Sequence, residues 1–230
     1  EVKPYFELNN MVEAMFWSAG QLYGLEFKEN TGSVPVFHPD VRTFEVRNRN
    51  TGDVGLFYLD NFAREGKRSG AWMTTYRSRA RLLGDDIVLA SNNNNFTKPG
   101  PDEPVLISLD DAETLFHEFG HAINYLLVDV KYPSLGGLQR DFVEYPSQVN
   151  ENWLLTPEVL QRFAKHYKTG EPMPQALVDK IQKSKTFNQG FATVEYLAAA
   201  IVDMMLHMDA DGVVDPDAFE KKALAEIGMP

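Results

Sequence analysis

The chain of 230 residues contains no cysteine, which excludes a disulfide framework and thiol chemistry. It also lacks a continuous apolar run of the roughly 18 residues that a membrane-spanning helix needs. Its opening residues, Glu1-Val2-Lys3-Pro4-Tyr5, do not have the shape of a signal peptide, so a cytoplasmic location and no membrane are expected. Basic residues are in the minority: 22 Lys and Arg against 33 Asp and Glu give a formal net charge of -11. That balance argues against nucleic acid or an anionic membrane as the main partner. No internal repeat is visible, and apart from Asn92 to Asn95 there is no low-complexity segment. What is present, 43% hydrophobic residues over this length, is enough to bury a proper core as one domain or as one domain with a small appendage.

Histidine is scarce as well, yet two of the five histidines fall in one pentapeptide, His117-Glu118-Phe119-Gly120-His121. Residues four apart lie on one face of a helix, so both imidazoles can reach a single tetrahedral ion. Glu118, beside the first of them, can then reach water on that ion. Zinc lowers the pKa of such a water from about 15.7 toward about 7, and a nearby carboxylate takes up the proton. Helical geometry is independently expected here. Ser108 and Asp111 form a capping-box pattern, and Leu115, Phe116, Phe119, Ala122, Ile123 and Leu126 follow helical spacing. The plainer alternative is a chance match on a solvated helix face, which only context can set aside.

A catalytic zinc site takes a third protein ligand and leaves the fourth position to water. The best source is Asp141-Phe142-Val143-Glu144-Tyr145-Pro146-Ser147-Gln148, the start of a second helical stretch in which Glu144, Gln148 and Glu151 share a face. Pro146 is tolerated in a first turn. Glu144 is the chosen ligand, with Glu113 or Glu151 as partners that would orient an imidazole. Isolated helical glutamates are mostly surface carboxylates, and the neighbouring motif is what raises Glu144 above that expectation.

Around this core the pattern suggests a helix near Asn9 to Tyr23, then strands at Val41 to Arg47, Val54 to Asp60, Gly70 to Tyr76 and Asp86 to Ser91. Asn50, Gly52 and Asp53 read as a hairpin connection. Ile87 to Ser91 is the candidate edge for an extended peptide, and the following four asparagines read as a polar turn. The cations Arg77, Arg79 and Arg81 read as the solvated end of a strand or turn. Those at Arg64, Lys67 and Arg68 read as a turn with a conceivable role at a peptide carboxylate. Helices should begin at Thr156-Pro157, ending at Gly170, and at Asp215-Pro216, ending at Gly228. Val194, Leu197, Ala198, Ile201, Val202, Met205 and Met208 have core spacing, so the methionines read as packing. His38, His166 and His207 are assigned no chemistry.

The pentapeptide with its flanks, Tyr132-Pro133-Ser134, the Asp141 to Gln148 segment, Arg64 to Trp72, Ala164 to Tyr167, Phe187 to Phe191 and the closing Ile227 to Pro230 together resemble the thimet oligopeptidase and peptidyl-dipeptidase family of zinc peptidases. The likeness covers essentially the whole chain, and the dipeptidyl carboxypeptidases are the nearest subgroup. The resemblance implies one Zn2+ held by His117, His121 and Glu144, with Glu118 as catalytic base. It implies an α+β, mostly α, zincin-like catalytic domain over residues 1–230 with a small, mostly antiparallel sheet. The sheet-containing part is expected at about 30–105, metal-binding helices at 108–155 and further helices at 156–228. The implied activity is release of C-terminal dipeptides from short unstructured peptides.

Two departures from the family qualify that expectation. The loop Leu135-Gly136-Gly137-Leu138-Gln139-Arg140 is about two residues shorter and lacks a Gly-Thr turn, leaving Gly136, Gly137 and Tyr145 as substrate-loop candidates. Relatives are also about three times as long, and their oxyanion-binding tyrosines lie beyond the end of this chain. Tyr132, Tyr145 and Tyr196 are conceivable replacements. The alternatives are a zinc-binding module without catalysis, completed by self-association or a partner chain, and an oligoendopeptidase.

Overall fold

A computed structural model describes residues 1–84, 87–212 and 215–230. The chain divides into two compact units, Glu1–Met173 and Pro174–Pro230.

The first unit opens with helix α1 (Leu8–Tyr23), capped by the Glu7 carboxylate, which accepts from the Asn10 amide. Five strands follow: β1 (Leu25–Glu29), β2 (Arg42–Asn48), β3 (Val54–Phe62), β4 (Trp72–Arg77) and β5 (Val88–Phe96). They form one sheet in the order β1-β2-β3-β5-β4. Three pairings are antiparallel and β3–β5 is parallel, so the sheet is mostly antiparallel, as expected, with one interior parallel pairing. Phe44, Phe57 and Asn92 lie on the face of the sheet that packs against the helices. Phe57 lies 5.4 Å from Phe119, and Phe16 of α1 packs on Phe44 at 4.8 Å and Phe119 at 5.8 Å. Burying each such ring stabilises the unit by about 1.5–3 kcal/mol.

Two strand expectations are corrected. β5 is interior, flanked by β3 and β4, so the sheet's edge strands are β1 and β4 and the one beside β5 is β4; the expected first residue of β5, Asp86, lies outside the described residues. The asparagine run is strand, not turn, and Asn92, Asn93 and Asn94 are buried. The run is held there by distant partners. Asn93 Nδ2 donates to Trp72 O at 3.1 Å, Asn94 Nδ2 to Asn61 Oδ1 at 2.9 Å, and Asn95 Nδ2 to Arg68 O and Gly70 O at 2.8 and 2.6 Å. β1 was not foreseen, although Leu25 and Phe27 carry the alternation of a strand.

The segment from Arg64 to Arg68 turns as expected, the Lys67 amide donating to Arg64 O, and Arg77 is the exposed end of β4, but the Lys67 and Arg79 side chains are buried. Arg64 makes a two-pronged bond to Asp60 at 2.7 and 2.9 Å. Lys67 Nζ is buried on the same carboxylate at 3.1 Å and donates to the carbonyls of Asp60, Phe62 and Asn94. Arg68 lies over the Trp72 ring. Arg79 is buried and donates to Val128 O at 3.0 Å, satisfying a carbonyl just past the helix α2 (Leu109–Leu127).

After α2 come α3 (Tyr145–Glu151) and α4 (Pro157–Phe163). α4 starts where expected but stops seven residues before Gly170, because the chain turns into a bridge between Lys165 and Pro172. The second unit contains α5 (Gln175–Ser184), α6 (Gln189–Met208) and α7 (Pro216–Glu226), with α6 packed on α7. The apolar stripe of α6 is not a core face. Val194, Leu197, Ile201 and Met208 are exposed and Ala198 alone is buried in this helix. By length and composition α6 is long and apolar enough to cross a membrane, although Glu195 and Asp203 interrupt the apolar run.

Candidate metal centre

The helix α2 begins with a complete capping box. Ser108 Oγ accepts from the Asp111 amide at 3.0 Å and the Asp111 carboxylate accepts from the Ser108 amide at 2.9 Å. Asp110 and Asp111 in the first turn also suit its positive end. His117 and His121 therefore stand one turn apart in the middle of a well-started helix, their ring centroids 5.0 Å apart. Phe116 and Phe119 point into the core and are fully buried, which turns both imidazoles toward the opposite side.

Helix α3 brings the third group. Glu144 is its N-cap residue, and the Glu144 Oε2 atom lies 3.1 Å from His117 Nε2 and 3.2 Å from His121 Nε2. These three atoms lie within 4.8 Å of one another. Two ligands about 2.0–2.1 Å from a tetrahedral ion stand about 3.3 Å apart, so the set has the spacing and the N,N,O chemistry that a divalent ion such as zinc takes. Ser147 Oγ holds the carboxylate, donating to Glu144 Oε2 at 2.9 Å. Of the two proposed orienting glutamates, Glu151 meets His117 Nδ1 at 2.6 Å, which leaves Nε2 free to face an ion. Glu113 instead lines a cavity of about 350 Å³ with Ala71, Thr114, His117, Glu118 and Glu151.

The two helices approach closely because residue 120 has no side chain. A Cβ there would lie 2.7 Å from Ser147 Cα and 2.8 Å from Pro146 O. Asn150, buried on α3, donates to Phe116 O at 2.6 Å and closes the same contact. Neither Gly120 nor Asn150 carried a sequence signal of this role, since their partners lie some thirty residues away.

Glu118 is buried, 7% exposed, at the floor of the cavity. Burial pushes its carboxyl pKa up; His117 opposes this, Glu144 adds to it, and a backbone hydrogen bond from Met73 on β4 lowers it. Burial likewise pushes the His121 pKa down, against the opposing pull of Glu144, and so favours the neutral imidazole that can donate a lone pair. A carboxyl with a raised pKa is better matched to giving a proton back after taking it.

The substrate-loop candidates are not drawn into this cluster. Gly136 packs against Val128 and Val130, and Gly137 faces open space. Tyr145 is 59% exposed and stacks on Phe142 at 4.8 Å. It borders a mainly apolar cavity of about 330 Å³ with Tyr23, Ile123, Leu127 and Val149. Tyr132 is exposed, and Tyr196 lies on α6 in the second unit, 80% exposed.

Two imidazoles and a carboxylate converging beside a buried second glutamate make up a centre able to hold one metal ion and move a proton on water next to it. The sequence profile of peptidase family M3 matches residues 1–226, and the chain belongs to that family. Over its whole length it is 42% identical to the dipeptidyl carboxypeptidase of Escherichia coli K12, covering 34% of that protein. It is 37% identical to oligopeptidase A of the same organism over 99% of the chain and 34% of the relative. Against mitochondrial intermediate peptidase 2 of Cryptococcus neoformans the identity is 30%, over 99% of the chain and 32% of the relative. The chain thus spans about a third of the length of these relatives.

Proposed function

We propose that the chain is part of a zinc-dependent peptidase acting on short unstructured peptides and releasing dipeptides from the C-terminus. On this reading residues 1–230 belong to one zincin-like catalytic domain. The convergence of His117 Nε2 and His121 Nε2 on Glu144 Oε2, with Glu118 buried beside them, is the observation that carries it. Membership of peptidase family M3 and the likeness to a dipeptidyl carboxypeptidase support it.

His117, His121 and Glu144 would hold one zinc, and Glu151, which meets His117 Nδ1, would leave Nε2 of that ring available to it. When bound, zinc acts as a Lewis acid toward the scissile carbonyl and acidifies water. Glu118 takes a proton from the attacking water as the new C–O bond forms, and passes it to the amine as the C–N bond breaks. The free edge of β4, whose Met73 amide reaches Glu118, offers backbone groups on which an extended peptide adds as a strand.

The test is mass spectrometry of a ten-residue unstructured peptide incubated with the zinc-loaded chain, with Glu118→Gln in parallel. Stepwise loss of C-terminal dipeptides by the parent alone is the expected result. Cleavage at interior bonds would favour the second reading, an oligoendopeptidase, which the likeness to oligopeptidase A supports. Bound zinc without any cleavage would refute the activity for this chain and leave a zinc-binding module.

A further inference from the structure

α2 is gripped from two sides by buried side-chain amides at the turn that carries the motif. On one side stands Asn92, fully buried in the middle of β5 and facing the helix. With its amide turned so that each atom meets its complement, Asn92 donates to Glu118 O at 3.0 Å and accepts from the Phe119 amide at 2.9 Å. On the other side Asn150 of α3 donates to Phe116 O at 2.6 Å.

An α-helix satisfies its own mid-helix carbonyls, so these bonds are not needed to complete the ladder. Each amide nevertheless had to be taken out of water, a cost recovered only where its partners are in place. A leucine would fill either position at similar volume without that cost. A hydrogen bond resists small slides that apolar packing alone tolerates, so two buried amides on opposite sides are suited to fixing the rotation and height of the helix.

Resting on the proposed peptidase reading, we infer that Asn92 and Asn150 are positioning residues with separate tasks. Asn150 holds α2 to the helix that delivers Glu144 and Glu151, so it sets the meeting of the two histidines with Glu144. Asn92 holds the backbone of Glu118 itself to β5, the strand that also carries the free edge β4 through their antiparallel pairing. Asn92 therefore sets where the base stands relative to the peptide-binding edge. The asparagine run thereby finds a use: Asn92 addresses the helix, while Asn93 and Asn95 fasten the segment from Arg68 to Trp72 that leads into β4.

The experiment compares Asn92→Leu and Asn150→Leu with the parent, adding Asn92→Ser and Asn150→Ser in case a leucine prevents folding. Zinc affinity is measured by competition with a chromophoric chelator, and amide hydrogen exchange is followed over residues 116–122. kcat and KM are determined per zinc-loaded molecule. Changing the partners of a metal site's ligands costs about 10–100-fold in metal affinity or activity. Asn150→Leu should lose zinc affinity on that scale. Asn92→Leu should keep zinc affinity within about twofold, lose about 10–100-fold in kcat at unchanged KM, and exchange the Phe119 amide faster. Parent-like zinc affinity in both Asn150 variants, or parent-like kcat and exchange in both Asn92 variants, would overturn the assignment. Zinc affinity and amide exchange are readable in an inert protein, so failure of the peptidase reading would show in the parent and remain distinct from failure of this one.

Discussion

Gly120→Ala is the sharpest perturbation that the α2–α3 contact allows. The added Cβ would stand 2.7 Å from Ser147 Cα, where ordinary contact begins at 3.4 Å, with Pro146 O at 2.8 Å and Asn150 Cβ at 2.9 Å. Two of these neighbours are backbone atoms, so the strain cannot be relieved by a side-chain rotation, and α3 must retreat by about 0.7 Å. Overpacking of this kind costs about 1–3 kcal/mol, offset by about 1 kcal/mol gained from replacing a helical glycine with alanine. The net loss, about 1 kcal/mol, should lower the melting temperature by about 2–4 °C for a chain of this size. Zinc binding is the more sensitive readout, because α3 carries Glu144 and a metal site tolerates ligand displacements of only about 0.2 Å. The expected outcome is a loss of at least about tenfold in zinc affinity by chelator competition. Gly190→Ala, in the first turn of α6 with open space around its Cβ, serves as the control, with no loss of stability and unchanged zinc affinity. Parent-like zinc binding and melting in Gly120→Ala would show that the close approach does not set the position of Glu144.

Glu118→Gln should lower turnover by about 10²–10⁴ while zinc remains bound, which peptide assays with parallel metal analysis would read. The same variant tests the burial of the carboxyl. Because burial raises the Glu118 pKa, the folded metal-free protein holds this proton more tightly than the unfolded chain. That stabilisation is complete below the unfolded carboxyl value, and it is lost as pH rises through the raised folded value. In chelator, Glu118→Gln should therefore gain in melting temperature over the parent at pH 8 and not at pH 4; a gap independent of pH would contradict the burial argument. Glu151→Gln should weaken zinc binding by about 10–100-fold, measured by chelator competition, since His117 Nδ1 loses the charged partner that orients it. Asp60→Asn leaves the buried Lys67 ammonium without its counter-charge and should cost about 3–5 kcal/mol in urea unfolding; a shift below about 1 kcal/mol would mean that the three carbonyls around Lys67 suffice.

The motif helix was legible because its signals are local: the Ser108 to Asp111 cap, the 3.6-residue apolar spacing and the two histidines all lie within twenty residues. Glu144 stood out through the helical face it shares with Gln148 and Glu151, close in sequence to the histidine motif. The interior place of β5 was not, because Asn92 to Asn95 offer no apolar alternation and their partners on Arg68, Gly70, Trp72 and Glu118 come from elsewhere in the chain. Arg79 and Lys67 misled for the same reason: a cation reads as solvated until the carbonyls and carboxylates that bury it are assembled. The stripe on α6 failed in the opposite direction, since spacing reports which residues share a face and not whether anything covers it.

The crossed order of the sheet bears on how the molecule comes into being. β4 follows β3 in the chain, but β5 is the strand that seats itself beside β3, and β4 ends up outside it. The parallel β3–β5 ladder joins residues about thirty positions apart, and such distant pairing is slow because a long loop must close before any bond rewards it. Until β5 is in place, β4 has no neighbour on which to lie and Asn92 has not reached α2. During refolding, helical structure should thus return well before the capacity to accept a peptide, and the edge beside Glu118 would be among the last surfaces to mature.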